Sequence, residues 1–495
     1  MPAKRGTATM PESAETVIVG GGLGGLLIAR ELVRAGQSVT LVERGAARLD
    51  ADGLPHADRE EKLATSEHNI DSVPAKGGHR WQYAYALGGS SLLWSGVAPR
   101  LLPSDFEMHS RYGVFRDWPI AYSDLVPFYK LAEQALEVSG RPSEIFPESD
   151  AYPEAPPPPS SVDRLLGPLL EPFGVLPTAR HRTGDANQPG ADGETNWTAL
   201  GLARELAAAP GFRLVGATAA RRLRVDSGRV AGVECVEASG EQVEIRAKRV
   251  VLATNGIENP ALLLRSGLEG PAVGRWLGDH THAIFEIELD RDVEHLSSTR
   301  DGGVGYAWTD GPWRAERSAA IVIPYNPGLS VRTHLAEALG KGEHGAGLRH
   351  RLARRFARTV VVYASVEDPP REDRFVELSP QKDGLGMPRT RVHYPPDSDY
   401  VQRGLEVLES ELLERLAPLG AKVVGRGAGG LGGHMLGTCF MGDGGVVDSN
   451  LRHHEIDNLY VSGGSAFPTH SPMHPTTTIA ALSIRLGQHL TEETA

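Results

Sequence analysis

Cysteine is almost missing from this chain, which has Cys235 and Cys439 as its two thiols among 495 residues. Two cysteines in a chain this long do not make a disulfide framework, so they read as buried thiols in a reducing compartment. Neither has a partner at zinc-ligand spacing, and no metal is expected. No run of about 18 apolar residues occurs, which excludes a membrane-spanning helix. Lys4 and Arg5 are followed by no apolar run before Thr16. A secretory leader needs such a run, so a cytoplasmic protein is expected. Positive charge is in deficit: 51 Lys and Arg face 63 Asp and Glu, a formal net charge of −12. Phosphate backbones would be repelled, so nucleic acid is not expected as a partner.

The length favours two domains over one core. Thr16–Val19 is a short β-branched run that reads as a buried strand. Leu26–Ala35 has helical apolar spacing and stops at Gly36, and Ser38–Val42 is a second strand. Residues 51 to 80 are polar and read as a loop, and residues 121 to 138 as a helix. The four prolines Pro156–Pro159 force a stiff extended connection. Residues 212 to 253 read as a β-meander ending in a strand, followed by a helix over 260 to 265. Phe285–Leu289, Ala319–Ile323, Val360–Val366 and Arg391–Tyr394 read as strands of a separate sheet. Long helices are expected over 399 to 417 and 476 to 491. The basic run 349 to 358 reads as a solvated helix face.

Gly20-x-Gly22-x-x-Gly25 lies between the first strand and the first helix, and Glu43 ends the next strand. Gly20 permits the tight turn. Gly22, beside Leu23, lets backbone approach a pyrophosphate, and Gly25 lets helix pack close on strand. The helix N-terminus offers free N–H groups to phosphates. Glu43 suits a ribose diol, with Arg44 beside it. Strand, glycines, helix and acid in register indicate a dinucleotide, without choosing between FAD and NAD. No second complete glycine unit occurs, which argues against a reductase with two nucleotide sites.

Three further segments narrow that choice. They are Leu87–Arg100, Gly433–Gly442, and Asn458–Pro468 running on to Met473–Thr478. With the N-terminal fingerprint, and in this order, they resemble the glucose–methanol–choline oxidoreductases. The likeness leans toward the branch of pyranose oxidases and bacterial glycoside oxidases. The resemblance implies an α/β fold with an α+β second domain. A Rossmann-type FAD-binding domain would span 14–110, 195–280 and 431–495. A mainly antiparallel substrate-binding domain would span 111–194 and 281–430. It implies that Gly88, Gly89, Ser90, Ser91, Leu93, Trp94, Ser95 and Gly96 lie along the flavin. Pyranose oxidases tether FAD through a histidine where this chain has Leu93, so non-covalent FAD is expected. Ala219 and Arg221 fall at the family's adenine-side contact. Gly464 and Ser465 stand where the family usually carries Asp-Ala-Ser or Asp-Gly-Ser.

The same resemblance singles out two histidines. His434 stands at the family's base position, and His474 at the position that is His or Asn. The expected roles are base for His434 and hydrogen-bond partner of the substrate hydroxyl for His474, with the reverse assignment open. An imidazole suits a base near neutral pH, its ordinary pKa being about 6.5. Pro475 and Thr476 would lie along the flavin at the N-terminus of the last helix. His470 is a lesser candidate for substrate contact, and His453 and His454 read as solvated. Trp308 and Trp313 are candidates for stacking on a sugar face or for packing. The implied reaction is oxidation of CH–OH to C=O on a sugar, glycoside, amino sugar or cyclitol. Oxygen or another acceptor would take the electrons. A non-sugar alcohol dehydrogenase, a lyase on the same fold and a flavin-binding non-enzyme are the alternatives.

Overall fold

In the computed structural model, residues 11–46, 70–73, 80–148, 152–182, 194–293, 302–325, 331–429 and 431–493 are described. Val17, Ile18 and Val19 are buried, and their strand Ser13–Val19 runs parallel to both Val39–Val42 and Gln242–Leu252. Phe212–Val215 and Leu459–Val461 add further parallel strands, and Thr218–Asp226 and Arg229–Glu237 extend the sheet antiparallel. β-Branched residues buried on both faces suit such a sheet, which must be covered on each side. The helix Leu23–Arg34 supplies cover with Leu26, Leu27, Ile28, Ala29 and Leu32, all fully buried. It packs against the last helix, Thr476–Glu492, where a Cβ on Gly487 would stand 2.7 Å from the side chain of Glu31.

A second, antiparallel sheet runs in the order Lys422–Gly429, Thr281–Glu288, Thr359–Val366, Ala320–Tyr325, Gly303–Gly305, Phe173–Val175. Its own core gathers Phe285, Ile287, Val322, Val360 and Val362 under the long helix Asp399–Leu416, which inserts Val401, Leu408 and Leu412. Trp308 belongs to this core, where its indole N–H donates to Glu411 (2.7 Å). Trp313 stacks under Arg317. Both therefore serve packing.

Two readings need correcting. Arg391–Tyr394 does not join the second sheet: the strand Pro388–His393 pairs with Phe375–Lys382 and with Ile70–Val73 in a small third sheet. Ile70–Val73 is thus a strand inside what read as a loop, and residues 51 to 69 lie outside the described residues. Polar Asp71 and Ser72 mask its pattern, because Asp71 is consumed by Ser379 and Arg389. The helix Gly345–Arg358 carries the basic run, with Arg351, Arg355 and Arg358 paired to Glu343, Glu286 and Asp292. No helix among the described residues is long and apolar enough to cross a membrane.

The segments are locked together by buried charge. Arg314 donates to Asp105 (2.8 Å) and Glu367 (2.7 Å), and all three side chains are essentially inaccessible. Desolvation lifts Asp105 to about 6, opposed first by the charge of Arg314. Removing one member of such a group strands the others and costs about 3–5 kcal/mol. Arg314→Leu should therefore lower stability by about that much, read as a fall in the urea midpoint. A midpoint within error of the parent's would refute a structural role for the triad.

Candidate active site

The strand–turn–helix around Gly20 builds one wall of a cleft of about 450 Å³. Gly20 has φ +110°, and a Cβ there would stand 2.6 Å from the carbonyl oxygen of Ala253. A Cβ on Gly25 would stand 2.0 Å from the Gly20 oxygen, so this glycine serves helix–strand contact. Gly22 differs: the nearest atom to its added Cβ is 3.9 Å away, and it lines the cleft. Backbone is thus laid bare where a phosphate would approach, beside the first turn of the helix. Glu43 accepts from the N–H groups of Gly21 (2.8 Å) and Gly45 (2.7 Å). Each carboxylate oxygen keeps a second lone pair for a ligand hydroxyl.

Among the described residues, the titratable side chains of the cleft lining fall into two groups. One contains Arg44, Tyr83, Tyr85, Glu258 and Arg265 beside Glu43. Tyr83 and Tyr85 both donate to Glu258 (2.7 and 2.9 Å), and Arg44 lies over the Tyr85 ring while pairing with Asp383 (2.7 Å). The other contains His282, Tyr363, His434 and His474. The ring centroids of His434 and His474 are 4.7 Å apart.

Most of the expected cofactor residues line the cleft: Gly20, Gly22, Leu23, Glu43, Arg44, Gly89, Ser90, Ser91, Leu93, Trp94, Ser95, Ala219, Gly464, Pro475 and Thr476. Gly25, Gly88, Gly96, Arg221 and Ser465 do not. Gly88 and Gly96 supply left-handed backbone (φ +94° and +76°) at the ends of the loop. Arg221 turns outward to Gln242 (2.7 Å), because alternate residues of a strand face opposite sides. Ser465 accepts from the Asn259 side chain (2.8 Å). Trp94 both lines the cleft and donates to the Trp197 carbonyl (2.7 Å). His470 packs where a Cβ on Gly278 would stand 1.5 Å from its ring, outside the cleft lining. His453 is buried, contrary to the solvated reading, and accepts from the Glu455 N–H.

Sequence reasoning missed His280, His282 and Asp279. The signal was present in the run Gly278-Asp279-His280-Thr281-His282, where two histidines recur at the strand period of two. His280 Nδ1 is 2.7 Å from His434 Nδ1, and its Nε2 is 2.5 Å from the Ser471 carbonyl. Tyr363 hydroxyl meets His282 Nδ1 at 2.5 Å. Asp279 Oδ1 accepts from the backbone N–H groups of His280 and His434 and lies 3.9 Å from His434 Nδ1. Asp279, His282 and His434 place ligand-type atoms within 4.8 Å of one another, a spacing that admits a metal ion. The two backbone N–H groups already occupy Asp279 Oδ1, and its charge favours a proton on the His434 ring.

Burial pushes His434 down to about 4, with Asp279 pulling the other way. His280 and His474 are driven far below the ordinary value, mainly by burial and then by the neighbouring His434. All three are neutral at pH 7. In the unfolded chain each would take a proton near pH 6.5. Below that pH the unfolded state binds more protons, so their effect is to lower stability as pH falls from 6.5 toward 4. Asp105 and Asp368, both raised to about 6, act oppositely. The histidine contribution is therefore isolated by comparison. His474→Asn should lose less thermal stability than the parent between pH 7 and 4.5. Parallel curves would contradict a neutral buried His474.

The chain matches two family models, both described as GMC oxidoreductase, over residues 176–282 and 370–483. Fructose dehydrogenase large subunit of Gluconobacter japonicus is 25% identical, covering 96% of this chain and 97% of its own. The 6'''-hydroxyparomomycin C oxidase of Streptomyces lividus is 29% identical over 97% of this chain and 92% of its own. An FAD-dependent oxidoreductase from Chaetomium thermophilum has the same fold, with a TM-score of 0.65 at 16% identity over 97% of this chain and all of that one.

Proposed function

Because the chain belongs to the GMC oxidoreductases, FAD-dependent enzymes acting on CH–OH groups, we propose that it oxidises an alcohol on a sugar-like ring, with His434 as base. One observation carries this reading: two neutral imidazoles, 4.7 Å apart, face a cleft that also holds the glycine cradle. FAD supplies the hydride acceptor when bound. The substrate O–H bond breaks and its proton passes to His434. As C=O forms, the hydride leaves the same carbon. His474 Nε2 is buried without a hydrogen-bond partner among the described residues, which suits it to hold the substrate oxygen.

Gly22, Gly89, Gly464 and the N-terminus of the last helix fit the cofactor's phosphates and ring as bare backbone. Leu93, 40% exposed on the cleft wall, has no atom that forms a tether, which supports non-covalent FAD. The sheet that offers His282 and Tyr363 to the cleft belongs to the proposed substrate domain, 111–194 with 281–430. Relatives named for fructose and for a paromomycin derivative support a sugar or amino-sugar substrate. The two buried free thiols fit a cytoplasmic location.

Anaerobic mixing of the holoenzyme with sugars, glycosides, aminoglycosides and cyclitols should bleach the flavin with at least one of them. Re-admitted oxygen then separates an oxidase from an enzyme needing another acceptor. His434→Ala should slow bleaching by about 10²–10⁴-fold while the yellow cofactor stays bound. An unchanged rate would remove His434 as base, and a flavin that no alcohol bleaches would favour a lyase.

A further inference from the structure

Among the described residues, His280 is the one histidine that touches His434 without lining the cleft. Its partners fix more than position. The Ser471 carbonyl can only accept, so the His280 nitrogen 2.5 Å away, Nε2, carries a hydrogen. A neutral imidazole has one N–H, which leaves His280 Nδ1 as a bare lone pair. That lone pair faces His434 Nδ1 at 2.7 Å, so His434 must donate. His434 then has its hydrogen on Nδ1 and its lone pair on Nε2. Both His280 nitrogens are in this way spent on protein partners.

We propose that His280 is a positioning residue that fixes the tautomer of His434, so that Nε2 and not Nδ1 receives the substrate proton. The inference rests on the base role argued above for His434. The chain of bonds is anchored behind His280. Ser471 donates its hydroxyl to Asp105 (2.5 Å), the carboxylate that Arg314 holds. Met473 N–H donates to the same hydroxyl (3.0 Å), so the loop carrying His474 is tied to the same post. Asp279 lies too far from His434 Nδ1, at 3.9 Å, to take the hydrogen bond instead. Its charge still favours a proton on this ring. When Nε2 is protonated in the reaction, His434 keeps its Nδ1–H bond to His280, and no bond to the protein breaks.

Two measurements test this. Nitrogen NMR of the holoenzyme, ring-labelled at histidine and assigned by loss of the His434→Ala signal, should give His434 a protonated Nδ1 and a bare Nε2. The opposite tautomer overturns the proposal, whatever the activity shows. Second, His280→Leu removes the acceptor, whereas His280→Gln offers a carbonyl oxygen to His434 and an N–H to Ser471. The Leu variant should lose about 10²-fold or more in kcat for flavin reduction, with KM changed far less. The Gln variant should recover most of that rate. Equal losses in two folded, flavin-loaded variants, or no loss in the Leu variant, also overturn it. Should the Leu variant fail to fold, the spectrum of the parent decides. A His434→Ala enzyme with full rate would instead sink the base assignment and leave the tautomer standing.

Discussion

A guanidinium with no access to water holds this molecule in register. Arg314 comes from the segment before a strand of the second sheet, Glu367 from the end of another, and Asp105 from the connection after the glycine–serine loop. Asp105 also takes the Ser471 hydroxyl, and its backbone carbonyl takes Thr469. Three distant parts of the chain and the C-terminal loop therefore meet at one charge cluster. Hydrophobic contact would tolerate small slips between them. Buried charges do not, because a slip leaves a carboxylate desolvated and unpaired. The loop from Thr469 to His474 inherits that precision, and the two cleft histidines, His434 and His474, are set against each other through it.

The glycines do complementary work at the opposite wall. Gly20 and Gly25 permit close approach between elements, and a Cβ at either would meet a carbonyl oxygen. Gly22 and Gly89 face each other so closely that a Cβ on Gly89 would stand 2.9 Å from Gly22. A side chain is excluded at Gly89, and what the two glycines present is backbone N–H, which is chemically suited to phosphate. Among the described residues, formal charge on the cleft wall is confined to Glu43 and the neighbouring Arg44, Glu258 and Arg265, where the tyrosines and Asp383 hold Glu258 and Arg44. The cleft thus presents bare backbone, paired charges and neutral rings in separate regions.

The nucleotide wall was legible in the sequence because its rules are local. A strand, three glycines, a helix and an acid follow one another in about thirty residues. His434 and His474 were legible through family spacing. His280 and His282 were not, because their meaning depends on the second sheet bringing residue 280 against residue 434. The third sheet escaped for a related reason: Ile70–Val73 is short and half polar, and its partners lie more than 300 residues away. Arg221 misled through register, since a shift of one residue turns a strand side chain to the other face. Net charge was uninformative about the histidines. The carboxylates on the described cleft wall, Glu43 and Glu258, both belong to the other polar group.

A neutral, desolvated base faces opposing demands. Burial keeps the imidazole free of protons at pH 7, which readies it to accept one, but the same burial penalises the cation formed on accepting it. The arrangement around His434 reconciles the two. Asp279 is fully buried, is held by two backbone N–H groups, and stands 3.9 Å from the ring before any substrate arrives. It is too far to capture the Nδ1 hydrogen and near enough to stabilise an imidazolium in a low-dielectric site. In the proposed reaction, the charge that develops on His434 meets a counter-charge already in place. The hydrogen bond to His280 leaves the proton only one nitrogen to reach. Preorganised charge of this kind needs no reorganisation at the moment of reaction. In that reaction the aspartate belongs beneath the histidines and not beside the substrate, because on the cleft wall it would compete for the hydroxyl proton assigned to His434.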